Sequence, residues 1–330
     1  MMRAARLIRR GDQPALELKQ TPVPWVGAGQ VLVRMTAAPI HASDIEGCRV
    51  DRPHRRPVPT TPGTEGAGEV VASGGGLVGR MLLGRRVAML ARPECDGTWA
   101  EYAVTDARLC MPLAPTHTES DGATLLLNPL TALAVMDLVR ASPGQGVIIT
   151  GASGALGRMF ARLARREGIG VVAVVRRAEA ADDLLRDGAG EVLIQDDVDL
   201  PARLRRAARA WRALIGVDTV GGALCGELLG ALPDRGEVVT LARQSSGLAT
   251  FDPLELVHHR KQLRGFSLHD HLEHGGASLM LAALPRLRRF ADALRTDVRE
   301  RVPLEAVPEQ VMAAGRGGSS GASKVVITFS

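Results

Sequence analysis

The stretch GVIITGASGALGRMFARLARREG, residues 146–168, decides how the fold is read. It opens on an apolar, β-branched run and passes through a turn of small residues, TGASGALG (150–157). It then continues as a helix with small and apolar positions on one face and arginines on the other. A strand, a tight glycine turn and a helix form the context that a dinucleotide fingerprint requires. Gly154 lets backbone approach a diphosphate, and Gly157 permits close packing of helix on strand. The amides of Ala155, Leu156 and Gly157, at the positive end of the helix, suit phosphate oxygens. Ser153 adds a hydroxyl donor. The first fingerprint glycine is replaced by Ala152. A glycine-rich turn can also be a plain strand-to-helix connection, but these flanks favour a cofactor site.

The alternation continues downstream. GVVAVVR (170–176), EVLI (191–194), IGVDTVGG (215–222) and RGEVVTLA (235–242) read as strands. AEAADDLLRDGAG (178–190) and LPARLRRAARAWR (200–212) read as helices between them. Units of this length predict an α/β fold with a doubly wound parallel sheet. Upstream, to about residue 120, the character is different. GQVLVRMTAAPI (29–40), GAGEVVASG (66–74) and GRRVAML (84–90) are short strands separated by glycine and proline turns, which suggests a barrel-like all-β unit. ESDGATLLLNPLTALAVMDLVRA (119–141) has helical spacing and is expected to break at Pro129. Near the C-terminus, 279–295 reads as an amphipathic helix, GRGGSSGAS (315–323) as a loop and KVVITFS (324–330) as a closing strand.

The end of the second strand of the parallel unit selects the nicotinamide. An acid there would take a ribose 2′-hydroxyl. This chain has Arg176 and Arg177 instead. Two guanidiniums suit a 2′-phosphate, so the expected cofactor is NADPH. The competing reading is two solvated arginines in an arginine-rich chain.

Composition narrows the classes. The chain has 330 residues, 45% of them hydrophobic and 23% charged, enough for two domains with ample core. Its four cysteines are scattered, with no CxxC pair, which argues against a disulfide framework or a structural zinc lobe. Net charge is +5, nearly all from arginine, and favours anionic ligands. Aromatic residues are only 3%, too few for a nucleic-acid stacking platform. No apolar run reaches the ~20 residues of a membrane span, and no signal peptide is read at the N-terminus. A cytoplasmic location is expected.

Beyond the turn, AAPIHASDIEG (37–47), PGTEGAGEVVASG (62–74), DGTWAEYAV (96–104), NPLTALAV (128–135), VDTVGG (217–222), LRGFSL (263–268) and KVVITF (324–329) follow in a specific order and spacing. With TGASGALG they resemble the zinc-free medium-chain dehydrogenases/reductases, in the quinone oxidoreductase and mitochondrial enoyl-thioester reductase branch. The resemblance implies a GroES-like β-barrel catalytic domain (1–120, completed by 270–330) and a Rossmann domain (121–269). It also implies a homodimer or homotetramer joined through the Rossmann sheet, of which a homodimer is the expectation. By similarity, Asn128 and Thr131 lie near the nicotinamide, Arg176 contacts the adenosine phosphate, and Lys324 lies near the cofactor. Val220, Leu241, Phe266, Ser267 and Leu268 line the nicotinamide end. Asn128 and Thr131 can also be read as helix-start residues.

The departures from the family bear on chemistry. Zinc members need three ligands. The corresponding positions here are His41, the Gly63-Thr64-Glu65 triplet and the region of Asn128, which leaves one ligand-capable side chain, so no metal is expected. The tyrosine that enoyl-thioester reductases place after the SD motif is missing: Gly47, Cys48 and Arg49 stand there. The single tyrosine, Tyr102, reads as a strand residue. His41, Asp44, Cys48 and Thr64 are the candidate replacements. His41 is preferred because histidine titrates near neutrality, and simple packing is its competing role. Asp44 reads as a turn acceptor or helix cap, and Cys48 as an inert small residue. Arg52, His54, Arg55 and Arg56 form a basic loop able to grip a carrier's phosphate or, equally, a solvated run. His269, His271 and His274 read as cleft or interface residues. The expected activity is NADPH-dependent hydride transfer to a quinone or activated C=C of a small-molecule substrate. The alternatives are enoyl reduction on a CoA- or carrier-protein-bound intermediate, and a catalytically idle protein that binds NADPH or RNA.

Overall fold

The computed structural model describes residues 1–11, 13–49, 58–245, 247–314 and 324–329. The chain forms two compact units. The first comprises Met1–Asn128, Leu272–Leu284 and Arg295–Ser330, and the second Pro129–His271 and Pro285–Leu294. The division therefore falls eight residues after the expected position, and a short C-terminal segment belongs with the second unit.

In the second unit, the strands Gly146–Thr150, Gly170–Val175, Glu191–Ile194, Ile215–Asp218, Glu237–Thr240 and Gln262–Gly265 form one six-stranded sheet. Numbered in chain order, they run 3-2-1-4-5-6 across it, every pair parallel. The sixth strand was not read from the sequence. Its four residues are all exposed, so it carries no apolar pattern. Gly146–Thr150 is buried along its whole length, as expected of a central parallel strand covered on both faces. The helix Ala155–Arg166 buries Ala155, Gly157, Met159, Phe160, Ala161, Leu163 and Ala164, of which Phe160, Ala161 and Ala164 join the sheet core. Its Arg158 pairs with Asp183 (2.8 Å) and Asp187 (3.1 Å) of the neighbouring helix Ala181–Asp187. At the amino edge of the sheet the Trp211 ring packs across Gly146, Gly170 and Gly190, each of which lacks the Cβ that would strike it. Its Nε1 donates to Glu191 (3.0 Å).

The break within 119–141 lies at Thr124–Leu126, between the helices Glu119–Ala123 and Leu127–Val139. Pro129 sits in the first turn of the second helix rather than at a break. A proline is tolerated there because its missing N–H has no intrahelical partner in any case.

In the first unit the strands run in the order Val298–Pro303, Lys324–Thr328, Gln30–Pro39, Glu65–Ser73, Arg86–Leu90 and Cys110–Pro112, with Tyr102–Asp106 also paired to Gln30–Pro39. A hairpin, Met2–Arg10 with Gln13–Thr21, stands beside this sheet and reaches it through bridges at Ala4–Ala100 and Leu7–Thr60. Trp99 is fully buried in the core with Ala38, Ile40, Leu304 and Ile327, and its Nε1 donates to the Pro39 carbonyl (3.1 Å). Tyr102 packs on Met2, Ala4 and Ala100, a core role. Gly63 has φ +102 and faces Thr98 and Trp99 so closely that a Cβ would lie 2.4 Å from Thr98 Oγ1. Only glycine allows the turn that delivers Thr64 and Glu65 to the sheet.

Candidate active site

In a parallel sheet all carboxyl ends lie on one edge, and ligands bind where the strand order reverses. Here the reversal falls between Gly146–Thr150 and Ile215–Asp218. Thr150 Oγ1 donates to Asp218 (2.6 Å) and accepts from the Thr219 amide (3.0 Å), while Thr219 Oγ1 donates to the Thr150 carbonyl (2.8 Å). Asp218 also accepts from the amides of Val220 (3.1 Å) and Gly221 (3.0 Å). This network stitches the two strand ends together under the crevice.

The glycine turn follows directly. Gly154 is the N-cap of Ala155–Arg166 and offers no side chain there. The first helical amides, Ala155, Leu156 and Gly157, have no intrahelical acceptor by helix geometry. A Cβ on Gly157 would lie 2.5 Å from the backbone of Ala152, so this glycine sets how closely the helix meets the turn. Ser153 is half-buried beside it. Arg176 and Arg177 leave the second strand at the same edge, both exposed. Val220, Leu241 and Phe266 follow the fourth, fifth and sixth strands there. Leu241 and Phe266 pack partly on the sheet core, with the Phe266 ring 5.6 Å from that of His271. Ser267 accepts from the Asp270 amide (3.3 Å) as cap of the helix Leu268–Arg289, and Leu268 is buried. Backbone donors, exposed guanidiniums and the absence of an acid after the second strand together suit a dinucleotide diphosphate carrying a 2′-phosphate.

Lys324 lies apart from this group in the chain's division. It opens the last strand of the first unit, where its charge acts on His41, Asp44 and Glu65. His41 is the N-cap of the helix Ala42–Gly47 and is 2% exposed. Its Nε2 lies 2.9 Å from Glu65 Oε2. Its backbone N–H donates to Asp44 Oδ2 (3.2 Å), and Thr64 Oγ1 donates to Asp44 Oδ1 (2.5 Å). Asp44 thus caps the helix. Glu65 Oε1 accepts from the amides of Leu126 (2.5 Å) and Leu127 (3.0 Å), the residues just before Asn128. Asn128 and Thr131 are half-buried and share one face of Leu127–Val139.

Burial, and then the charge of Lys324, hold the His41 imidazole well below the ordinary histidine value. His41 does not titrate near neutrality, contrary to the expectation from its residue type, because its site is dry and already near a cation. Burial raises Glu65 to about 8 against the pull of the two amides and Lys324, and Asp44 acts in the same direction as burial. Burial lowers Lys324 and pushes the Cys48 thiol up to about 12, so Cys48 is no nucleophile at neutral pH. Glu65 was not singled out from sequence. The available signal was its place in the Gly63-Thr64-Glu65 triplet, which stands where zinc members carry a ligand. The basic loop Arg52, His54, Arg55 and Arg56 lies outside the described residues. Among the described residues no group of three His, Cys, Asp or Glu side chains is placed to hold a metal ion, the histidines near 269–274 included. None of their helices is long and apolar enough to cross a membrane.

Residues 27–115 match the family described as the alcohol dehydrogenase GroES-like domain. The chain is 30% identical over 319 residues to the mitochondrial enoyl-[acyl-carrier-protein] reductase of Arabidopsis thaliana, covering 94% of this chain and 84% of that protein. It is 30% identical to the solved structure of a candidate NADPH:quinone reductase from Mesorhizobium loti, with TM-score 0.89 and coverage of 99% and 98%. Escherichia coli quinone oxidoreductase, solved as a complex with NADPH, shares the fold at 18% identity, with TM-score 0.86 and 99% of each chain covered. The fold and the crevice define a two-unit nucleotide-dependent oxidoreductase. The chain belongs to the medium-chain dehydrogenase/reductase superfamily, in its quinone oxidoreductase and enoyl reductase branch.

Proposed function

We propose that this protein is an NADPH-dependent reductase of quinones or activated C=C bonds that works without zinc. The observation that carries the reading is the crevice edge of the second unit. There the helix N-terminus behind Gly154 supplies diphosphate donors, and Arg176 and Arg177 supply cations where NAD-selective sites carry an acid. NADPH supplies the hydride. Ser153 and the amides of Ala155 to Gly157 hold its diphosphate, and the arginines hold its 2′-phosphate. Val220, Leu241 and the Phe266–Leu268 segment line its nicotinamide end, Asn128 and Thr131 orient the ring, and Lys324 acts near the cofactor. With no metal to polarise the substrate oxygen, hydrogen bonds do so, and His41 orients the substrate or gives the proton.

A carrier-bound enoyl thioester is the second substrate class, favoured by the 30% identity to the Arabidopsis enoyl-[acyl-carrier-protein] reductase. The missing tyrosine places it behind quinones and enones. The exposed edge strand Gln262–Gly265 supports a homodimer formed through this sheet. A cytoplasmic location remains part of this reading.

The test is coenzyme oxidation with a panel of enones, quinones and enoyl-CoA thioesters. The expected result is turnover with an enone or quinone, faster with NADPH than with NADH. Saturable NADPH binding without turnover of any panel member would leave a binding protein, and no binding of either coenzyme would overturn the cofactor site.

A further inference from the structure

Two separate segments of the first unit, at His41 and at Leu126–Leu127, converge on one carboxyl group. Glu65 is fully buried at the start of Glu65–Ser73, and Thr98 Oγ1 pins its own carbonyl (2.7 Å). Its Oε1 takes the Leu126 and Leu127 amides, and its Oε2 meets His41 Nε2 at 2.9 Å. The second ring nitrogen, His41 Nδ1, is buried and has no hydrogen-bond partner among the described residues. A buried polar atom so placed lacks the hydrogen bond it would make in water, which a bound oxygen would restore.

We propose that Glu65 is the positioning residue of this site: one carboxyl group holds His41 and the amides next to Asn128, and by sharing a proton with His41 Nε2 it decides whether Nδ1 carries a hydrogen. A neutral imidazole bears one N–H. With Glu65 protonated, Oε2–H donates to Nε2 and the ring hydrogen sits on Nδ1. With Glu65 ionised, Nε2–H donates to Oε2 and Nδ1 is a bare acceptor. The charged groups acting on the pair are Asp44, from the helix that His41 caps, and Lys324, from the last strand. Burial, and then Lys324, disfavour a cationic ring, so the imidazole changes tautomer rather than charge.

The chemical consequence rests on the reductase reading. After hydride adds to the C=C bond, the Nδ1 proton passes to the resulting anion, and the Glu65 Oε2 proton passes to Nε2. The ring stays neutral and Glu65 becomes a carboxylate. A solvent proton then restores the pair.

Nitrogen-15 NMR of histidine-labelled full-length protein, with the His41 signals assigned from a His41→Gln sample, tests the tautomer without any turnover. In the wild type the ring hydrogen moves from Nδ1 to Nε2 as pH rises through about 8, the value to which burial raises Glu65. In Glu65→Gln the amide oxygen keeps the Leu126 and Leu127 bonds and the NH2 donates to Nε2, so the hydrogen stays on Nδ1 throughout. A wild-type tautomer that does not change with pH, or a Glu65→Gln tautomer that changes as in the wild type, overturns the proposal. In turnover, wild-type kcat falls above that pH. Glu65→Gln lacks this alkaline limb and is slower by ~10- to 100-fold, with KM little changed. The tautomer change without reduction of any substrate would sink the reductase reading and leave the Glu65 assignment standing. Reduction with the same alkaline limb in Glu65→Gln would sink the relay.

Discussion

The turn at Thr150–Gly157 and the cluster around His41 differ in how much of the chain each one needs. The turn is eight consecutive residues whose proposed diphosphate donors are backbone amides at the head of one helix. The His41 cluster draws on residues 41–44, 64–65, 126–127 and 324, up to 283 positions apart, and its working groups are side chains. A backbone site tolerates changes of side chain but no loss of room, which is why Ala152 can replace a fingerprint glycine and Gly157 has no such freedom. A side-chain site depends on burial: the same glutamate in water would be an ordinary carboxylate.

Three substitutions would break or sharpen that contrast. The largest effect is expected at Glu65→Ala, which leaves His41 and two amides without their partner in a dry site and costs about 3–5 kcal/mol of stability in chemical denaturation, as unsatisfied buried polar groups. The wild type should also lose stability as pH rises. The folded-state value of Glu65, about 8, lies above the ordinary value of 4.5 that it has in the unfolded chain, so the folded protein binds that proton more tightly. The contribution is complete below 4.5 and falls away up to about 8, by on the order of 5 kcal/mol at most. Glu65→Ala should flatten that slope, and an unchanged slope would place the pH dependence elsewhere.

Next comes Gly157→Ala, whose added Cβ meets Ala152 backbone at 2.5 Å and forces helix and turn apart. NADPH affinity should weaken by on the order of 100-fold, about 3 kcal/mol, in a fluorescence titration. Gly230→Ala, with nothing within 4 Å of the new atom, is the control and should leave affinity unchanged. Equal affinities in the two variants would refute the close-packing argument. The smallest effect is expected at Arg176→Asp, which should weaken NADPH relative to NADH by ~10- to 100-fold through loss of a charge-assisted phosphate contact. An unchanged ratio of kcat/KM values would remove Arg176 from coenzyme selection.

These expectations also mark how far the sequence could be read. The parallel strands and the glycine turn were legible because a buried strand is an unbroken apolar run and a helix has its own period. The exposed strand Gln262–Gly265 has neither signal and was missed. The strand Val298–Pro303 was missed for a similar reason, with four of its six residues exposed. For His41, residue type alone suggests a group that titrates near neutrality, and only its burial in the assembled unit moves it lower. Glu65 passed unnoticed inside the PGTEG turn, where nothing local distinguishes a fully buried acid from a solvated one.

By itself the sequence determined the two-part architecture, the strand–turn–helix at 146–168 and the arginines that follow the second strand, since each is written in neighbouring residues as period, room or charge. Only the tertiary structure decided that Glu65 meets His41, that the amides before Asn128 close on the same carboxyl, and that Lys324 adds its charge there. Those outcomes depend on which distant segments exclude water together, and desolvation belongs to the assembled unit rather than to any stretch of chain.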